Sequence, residues 1–96
     1  MNYTIYVVFK TFDGKREAFV KKLQDEGIVS AIRNEDGCIR YDYYFSEKDK
    51  NELLLVEEWE TKEHQQVHLT QPHMDALRSI KDDYVESTSL GEFRLI

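Results

Sequence analysis

Residues 38–60 read CIRYDYYFSEKDKNELLLVEEWE. Two runs rich in β-branched and aromatic residues, 38–45 and 53–60, are separated by the charged segment 46–52. Two such runs joined by a short polar loop are typical of an antiparallel hairpin. The centre of the chain is therefore predicted to be a hairpin, and the flanking segments must pack against it.

The sequence before this hairpin predicts one strand and two helical pieces. Residues 3–9 (YTIYVVF) are apolar on both pleat faces, as expected of a strand in the interior of a sheet. Residues 14–33 carry an apolar stripe at helical spacing, with Asp13 as the predicted N-cap. Gly27 is predicted to interrupt this helix.

The sequence after the hairpin predicts two further helices. Thr61 is expected to cap a short helix that ends at Val67. Thr70 is expected to cap the next helix, with Pro72 in its first turn, where a missing N–H costs nothing. Apolar residues at helical spacing carry this helix to about Lys81.

A final strand is predicted over residues 84–96, broken by Gly91. The resulting order β-α-β-β-α-β predicts an α+β protein with a ferredoxin-like split βαβ fold, a four-stranded antiparallel sheet with helices on one face. Residues 1–96 are predicted to form a single domain. The open sheet face would be partly apolar, so a homodimer is expected.

Composition excludes several classes of protein. Thirteen Lys and Arg against nineteen Asp and Glu give a formal charge of −6, and no basic block is present, so no nucleic-acid partner is predicted. The single cysteine, Cys38, fits a reducing cytosol. No window approaches the roughly 20 apolar residues that span a bilayer. The predicted location is cytoplasmic, with no membrane partner.

Residues 56–73, VEEWETKEHQQVHLTQPH, contain all three histidines, the only tryptophan and the only proline. His64 lies among polar residues and is interpreted as a solvated surface residue. No metal site is predicted, because the segment has no HExxH motif and no cysteine. His68 and His73 lie at a corner between two helices, where they either stabilise an anionic oxygen or are merely structural.

The two central strands offer further candidate residues. Trp59 is expected to be core rather than catalytic, and Glu58 points to the opposite pleat face, so one of the two lines an interior or a subunit contact. Arg40 and Tyr41 lie on opposite faces of the second strand. In one interpretation both residues contact an aromatic ligand. In the other, Arg40 forms an ion pair on its own face and Tyr41 is an ordinary strand residue.

The runs EDGCIRYDYY and LLLVEEWETKEHQQVHLTQPHMDAL resemble the antibiotic biosynthesis monooxygenase family. Its small members include quinol monooxygenases and an isomerase of a phosphorylated quorum-sensing signal. The resemblance covers essentially the whole chain and is weakest in the first helix and the last strand. The matching features are Gly37-Cys38, Arg40-Tyr41-Asp42, Glu58 near Trp59, and HLTQPHM, in which His68 and His73 bracket Pro72.

This resemblance implies a ferredoxin-like subunit that dimerises into an α+β barrel, with a ligand cavity between sheet and helices. It implies catalytic roles for His68 and His73. It also implies that Arg40, Glu58 and Trp59 line the cavity. Tyr41, as a strand tyrosine that would shape the apolar wall, is predicted to bind substrate with them. The family's monooxygenases use no flavin, haem or metal, because a deprotonated quinol can pass an electron to O₂ itself.

The predicted function is therefore cofactor-free oxidation of a small quinol or electron-rich aromatic compound by O₂. His68 would accept the substrate hydroxyl proton, and His73 or Arg40 would stabilise the oxyanion. Haem degradation is disfavoured, because the first strand has no asparagine beyond Asn2 and the last helix, DALRSIK, has no histidine.

Two alternatives stay open. One is an isomerase of a small carbonyl or phosphorylated compound, for which Arg33, Arg40 and Lys62 are the candidate phosphate ligands. The other is a dimeric module that binds a ligand without turning it over.

Overall fold

The computed structural model describes residues 2–93, which form four strands and four helices in the order β-α-α-β-β-α-α-β. The strands are β1 (Tyr3–Thr11), β2 (Cys38–Phe45), β3 (Glu52–Trp59) and β4 (Val85–Glu92). The helices are α1 (Arg16–Asp25), α2 (Ile28–Arg33), α3 (Lys62–His68) and α4 (Pro72–Tyr84). The strands form one antiparallel sheet in the order β2-β3-β1-β4. This arrangement confirms the predicted ferredoxin-like α+β fold.

The inner face of the sheet carries the core. Along β1 and β3 every second residue is buried, so one face of each strand packs against the helices. Fully burying one side chain of this kind contributes about 1.5–3 kcal/mol, so this face holds the helices on the sheet. The largest fully buried apolar side chains are Trp59, Phe19, Leu23, Ile32, Leu53 and Leu55.

The break between the first two helices lies where the sequence predicts it. Gly27 has a φ of 74°, a left-handed conformation that ends α1 and turns the chain into α2. The predicted cap of α1 is wrong: Lys15 precedes the helix, and no side chain caps it. Asp13 instead accepts a hydrogen bond from the Asn51 side chain at 3.1 Å.

The corner between α3 and α4 differs from the prediction in one respect. Thr61 caps α3 as expected, its Oγ1 accepting a hydrogen bond from the His64 backbone at 3.2 Å. Thr70 does not cap α4, because Gln71 precedes that helix in an extended conformation. Thr70 Oγ1 donates to the carbonyl of Val67 at 2.7 Å and so closes the end of α3 instead.

Gly91 does not break β4, contrary to the prediction. It pairs with Tyr6 of β1, and a Cβ at this position would lie 2.6 Å from the Tyr6 hydroxyl. The glycine therefore makes room for a ring lying across the strand. Residues 94–96 of the predicted strand lie outside the described residues.

The outer face of the sheet is partly apolar. Tyr6, Val8, Leu54 and Val56 are half-buried there, and Tyr44 is exposed. Apolar surface of this kind is a common place for contact with another chain. Within residues 2–93, no helix combines the length and apolar character needed to cross a membrane.

Replacing Gly37 with alanine is expected to destabilise the protein more than replacing Gly14. Both glycines have a left-handed backbone, with φ of +81° and +75° respectively, so each alanine brings about 1 kcal/mol or more of strain. A Cβ at Gly37 would also lie 2.4 Å from the His64 ring, whereas one at Gly14 would have nothing within 4 Å.

The free energies of unfolding of Gly37→Ala and Gly14→Ala, measured by urea denaturation, isolate the cost of that contact. A clearly larger loss for Gly37→Ala is expected. Equal losses would mean that the His64 ring moves aside without cost.

Candidate functional site

The Glu35 carboxylate joins the two predicted catalytic histidines. Its Oε2 lies 2.9 Å from His68 Nδ1 and 2.6 Å from His73 Nε2. Glu35 lies in the turn before β2, His68 ends α3, and His73 lies in the first turn of α4. Three separate segments therefore converge on one oxygen, and we call this group the Glu35–His68–His73 cluster. The corner where the sequence predicts either an anionic ligand oxygen or a purely structural role for the histidines thus holds a carboxylate oxygen of the chain itself.

The cluster extends from the core towards the surface. The His68 side chain is 1% exposed, that of Glu35 9%, and that of His73 22%. Trp59 and Tyr41, two predicted lining residues, both lie against His68, with ring centroids 4.7 Å and 5.9 Å from the imidazole. The enclosed end of the cluster is thus walled by aromatic rings.

A second carboxylate, Glu57, lies on the other side of His68. Its Oε1 accepts a hydrogen bond from Trp59 Nε1 at 3.1 Å and lies 3.9 Å from His68 Nε2. Burial raises the pKa of Glu57 to about 7, although the hydrogen bond from Trp59 acts to lower it. His68 thus has a carboxyl group facing each ring nitrogen.

Burial also lowers the pKa of His68, more than the bond to Glu35 raises it. A neutral imidazole next to the Glu35 carboxylate donates its Nδ1–H to that oxygen and leaves the lone pair on Nε2. The free lone pair of His68 therefore faces Glu57 and the aromatic rings.

Arg40 and Glu58 are not brought to the cluster within one chain. A register shift between Cys38 and Arg40 precedes this part of β2. Arg40 Nε lies 3.6 Å from Glu58 Oε1 and its Nη1 lies 3.6 Å from Asp42 Oδ2. Glu58 also accepts a hydrogen bond from Asn2 Nδ2 at 2.8 Å. These residues form an ion-pair group on the outer face of the sheet.

His64 lies at the surface, as interpreted from the sequence, but it is half-buried rather than fully solvated. Its side chain is 29% exposed, and Nε2 lies 3.5 Å from Asp36 Oδ2. Its Nδ1 lies 2.7 Å from the Thr61 hydroxyl. The ring packs over Gly37, whose missing side chain gives it room.

A surface hollow of about 360 Å³ opens beside the cluster. Glu35 lines it and is therefore the cluster member nearest to the hollow. The other lining residues are Asp36, Glu63, His64, Val67 and Gln71.

Sequence reasoning missed both carboxylates of the site. Glu57 could have been found, because it occupies the same pleat face as Leu53, Leu55 and Trp59, where an acidic residue is out of place. Glu35 gives no such indication, because it lies in a polar turn and reaches the histidines only through the tertiary fold.

Cys38 does not add a nucleophile to the site. The residue is half-buried, and burial, with the nearby Glu35 and Glu57 carboxylates, raises the pKa of its thiol to about 11. The thiol therefore stays protonated near neutral pH and is unreactive.

These features define a ferredoxin-like α+β protein with an ionisable cluster enclosed at the edge of its core. The sequence profile of the antibiotic biosynthesis monooxygenase family matches residues 2–79, a range that includes the whole cluster. The chain therefore belongs to the antibiotic biosynthesis monooxygenase family, as its sequence resemblance predicts.

Solved structures share this fold. A protein from Pseudomonas aeruginosa superposes with a TM-score of 0.84 at 20% identity, over 99% of this chain and 95% of that chain. A Mycobacterium tuberculosis protein gives 0.81 at 23% identity, over 100% and 96%. A proposed antibiotic biosynthesis monooxygenase from Nitrosomonas europaea gives 0.82 at 25% identity, over 96% and 88%. No curated protein matches the sequence significantly.

Glu57→Gln is expected to remove a pH-dependent loss of stability. Because the folded-state pKa of about 7 lies above the ordinary value of 4.5, the folded protein holds this proton more tightly than the unfolded chain. The stabilisation is complete below about pH 4.5 and is lost as the pH rises to about 7. A shift of this size corresponds to about 3 kcal/mol.

Glutamine keeps the acceptor for Trp59 but does not ionise. The variant should therefore lose less stability than the wild type between about pH 4.5 and pH 7, as measured by urea unfolding. An unchanged profile would show that the Glu57 carboxyl ionises in the fold as easily as in the unfolded chain.

Proposed function

We propose that this protein oxidises a small quinol or another electron-rich phenol with O₂ and uses no flavin, haem or metal for the reaction. Membership of the antibiotic biosynthesis monooxygenase family supports monooxygenase chemistry in general. The observation that carries the more specific proposal is the Glu35 carboxylate held between two imidazoles, 2.9 Å from one and 2.6 Å from the other.

His68 is the proposed general base. With its Nδ1–H donated to Glu35, its Nε2 lone pair can accept the substrate hydroxyl proton, and Glu35 stabilises the imidazolium that forms. The phenolate that remains is electron-rich enough to transfer an electron to O₂. Proton removal by the protein thus replaces the activation that a cofactor would otherwise provide.

The substrate would bind between sheet and helices, next to Trp59 and Tyr41. Their rings lie against His68 and provide an apolar wall for an aromatic ligand. Because His68 is only 1% exposed, binding requires side chains of this wall to move apart. For the oxyanion we favour His73, which shares the carboxylate with His68, over Arg40, which pairs with Glu58 and Asp42.

An isomerase acting on a phosphorylated compound has less support. Arg33 donates to the Tyr41 carbonyl at 3.0 Å, and Arg40 pairs with Glu58 and Asp42. Lys62 lies over the Tyr3 ring. These three candidate phosphate ligands are engaged away from the cluster. A ligand-binding module without turnover would bind the same aromatic compounds and release them unchanged.

Replacing His68 with alanine is expected to lower turnover by about 10²-fold or more, because the proton acceptor is lost. Glu35→Gln, which preserves the volume and removes the charge, should also lower it. The measurement is oxygen uptake by tag-free, chelator-treated protein with a panel of reduced quinols, corrected for spontaneous oxidation.

His64→Ala is the matched control, since it removes a histidine of the same helix that lies outside the cluster. Circular dichroism confirms that each variant is folded. Uptake that persists in both His68→Ala and Glu35→Gln would remove the cluster from catalysis. No uptake by a folded wild-type protein, combined with unchanged ligand, would favour the binding module.

We further propose that the functional unit is a homodimer formed through the outer face of the sheet. The half-buried Tyr6, Val8, Leu54 and Val56 give this face its apolar character. A 96-residue chain buries a modest share of its surface alone, so covering this face adds useful burial.

Val56→Glu is therefore expected to convert the dimer to a monomer, because a charge would be buried unpaired in the contact. Gln24→Glu, which adds the same charge at an exposed position of α1, should leave the dimer intact. Sedimentation velocity of both variants and the wild type measures the masses. If Val56→Glu were still a dimer, the interface would have to lie on another surface of the protein.

A further inference from the structure

The Glu35–His68–His73 cluster also has the donor set of a metal site. One carboxylate oxygen and two imidazole nitrogens lie within 4.8 Å of one another. Two histidines and one carboxylate bind Zn²⁺ and related ions in many enzymes, where a further coordination position stays open. We propose that the cluster binds a divalent transition-metal ion such as Zn²⁺, and that the bound ion suppresses turnover.

Two of the three donor atoms already face the third. His68 Nδ1 and His73 Nε2 both face Glu35 Oε2, at 2.9 Å and 2.6 Å, and the three groups are held together by protons. Donors about 2.0–2.1 Å from a tetrahedral ion lie roughly 3.3 Å apart. The two distances to Glu35 Oε2 therefore need to lengthen by about 0.4 Å and 0.7 Å, and the two nitrogens, which lie within 4.8 Å of each other, need to take the same spacing for an ion to replace the protons.

The second nitrogen of His68 strengthens this assignment. A ligating histidine usually presents its other N–H to a carboxylate, which fixes the tautomer and raises the affinity for the metal. Glu57 Oε1 lies 3.9 Å from His68 Nε2, so a small approach completes this arrangement. Carboxyl groups of two different chain segments thus lie near the two nitrogens of the ring, Glu35 hydrogen-bonded to Nδ1 and Glu57 3.9 Å from Nε2.

The hollow beside Glu35 provides the entry path. It is lined by Glu35, Asp36 and Glu63, whose negative charges raise the local concentration of cations. An ion in the hollow meets the Glu35 carboxylate first and reaches the imidazoles when that side chain rotates. The substrate, in contrast, is proposed to reach His68 from the side of Trp59 and Tyr41.

A second group beside the same hollow is a weaker competitor. Asp36, Glu60 and His64 also lie within ligand distance of one another, but they offer one imidazole and two exposed carboxylates. One nitrogen donor and two solvated oxygens bind transition metals less strongly than two nitrogens and one enclosed oxygen. His64→Ala therefore serves as the matched control.

The suppression of turnover rests on the proposed role of His68 as the base. An ion on Nδ1 places the imidazole proton on Nε2, the nitrogen that would otherwise accept the substrate proton. The ion and the reaction thus require different tautomers of the same ring. Metal binding itself does not depend on any catalytic role.

Titration of tag-free, EDTA-treated protein with ZnCl₂ in a calorimeter tests the binding without substrate. A Cys38→Ser background excludes binding through the thiol. Saturation at one ion per chain is expected. His73→Ala and Glu35→Gln should each weaken Zn²⁺ binding by at least about 100-fold. Loss of a group that only orients a metal ligand weakens binding by up to about 100-fold, and loss of a ligand itself should cost at least as much. His64→Ala should bind as the parent does.

Electron paramagnetic resonance with Cu²⁺ as the probe adds a direct count of nitrogen ligands. Superhyperfine splitting by the nitrogens of two imidazoles is expected in the parent, and by the nitrogen of one imidazole in His73→Ala. No saturable binding, or binding lost in His64→Ala and kept in His73→Ala, would overturn the site. Zn²⁺ that binds the cluster but leaves oxygen uptake unchanged would overturn the suppression while leaving the site in place.

Discussion

Strand β3 cannot slip by one residue without turning the core inside out. Its inward residues are Leu53, Leu55, Glu57 and Trp59, and three of them are among the most deeply buried apolar side chains of the protein. Because neighbouring residues of a strand point to opposite faces, a slip would expose all three and turn Glu58, together with Leu54 and Val56, into the interior. Pairing with β1 on one edge and β2 on the other holds the register.

This register forces Glu57 into the interior along with its apolar neighbours. A buried carboxylate is destabilising unless it is paired or protonated. Glu57 accepts a hydrogen bond from the Trp59 N–H, and burial raises its pKa to about 7, so that it keeps its proton to a higher pH than an exposed glutamate. The strand that builds the core therefore also supplies an ionisable group beside His68. Core packing and site chemistry share one structural cause.

The other half of the site depends on the corner between α3 and α4. Thr61 starts α3, Pro72 starts α4, and the short connection brings His68 and His73 to the same carboxylate. Two hydrogen bonds from imidazoles stabilise the partly buried Glu35 carboxylate better than one would. The proposed base and the proposed metal site are two uses of this single arrangement, distinguished by which nitrogen of His68 carries the proton.

Local patterns determined much of the fold. The alternation along β1 and β3, the left-handed Gly27 and the Thr61 cap are local properties, so the order of strands and helices followed from the sequence by itself. The predicted caps Asp13 and Thr70 failed because each side chain found a partner that the fold brought near. The two histidines were recognisable from their residue type and spacing.

The tertiary structure alone decided which groups surround those histidines. Glu35 is 33 residues from His68 and 38 from His73, and only the packing of the α2–β2 turn against the α3–α4 corner brings their side chains together. Arg40 and Glu58 were predicted to line the cavity together with Tyr41 and Trp59, yet they form ion pairs on the outer face of the sheet, whereas the Tyr41 and Trp59 rings lie against His68. Strand alternation separates Arg40 from Tyr41 and Glu58 from Trp59, but only the long-range packing of the helices decides which face of the sheet is covered.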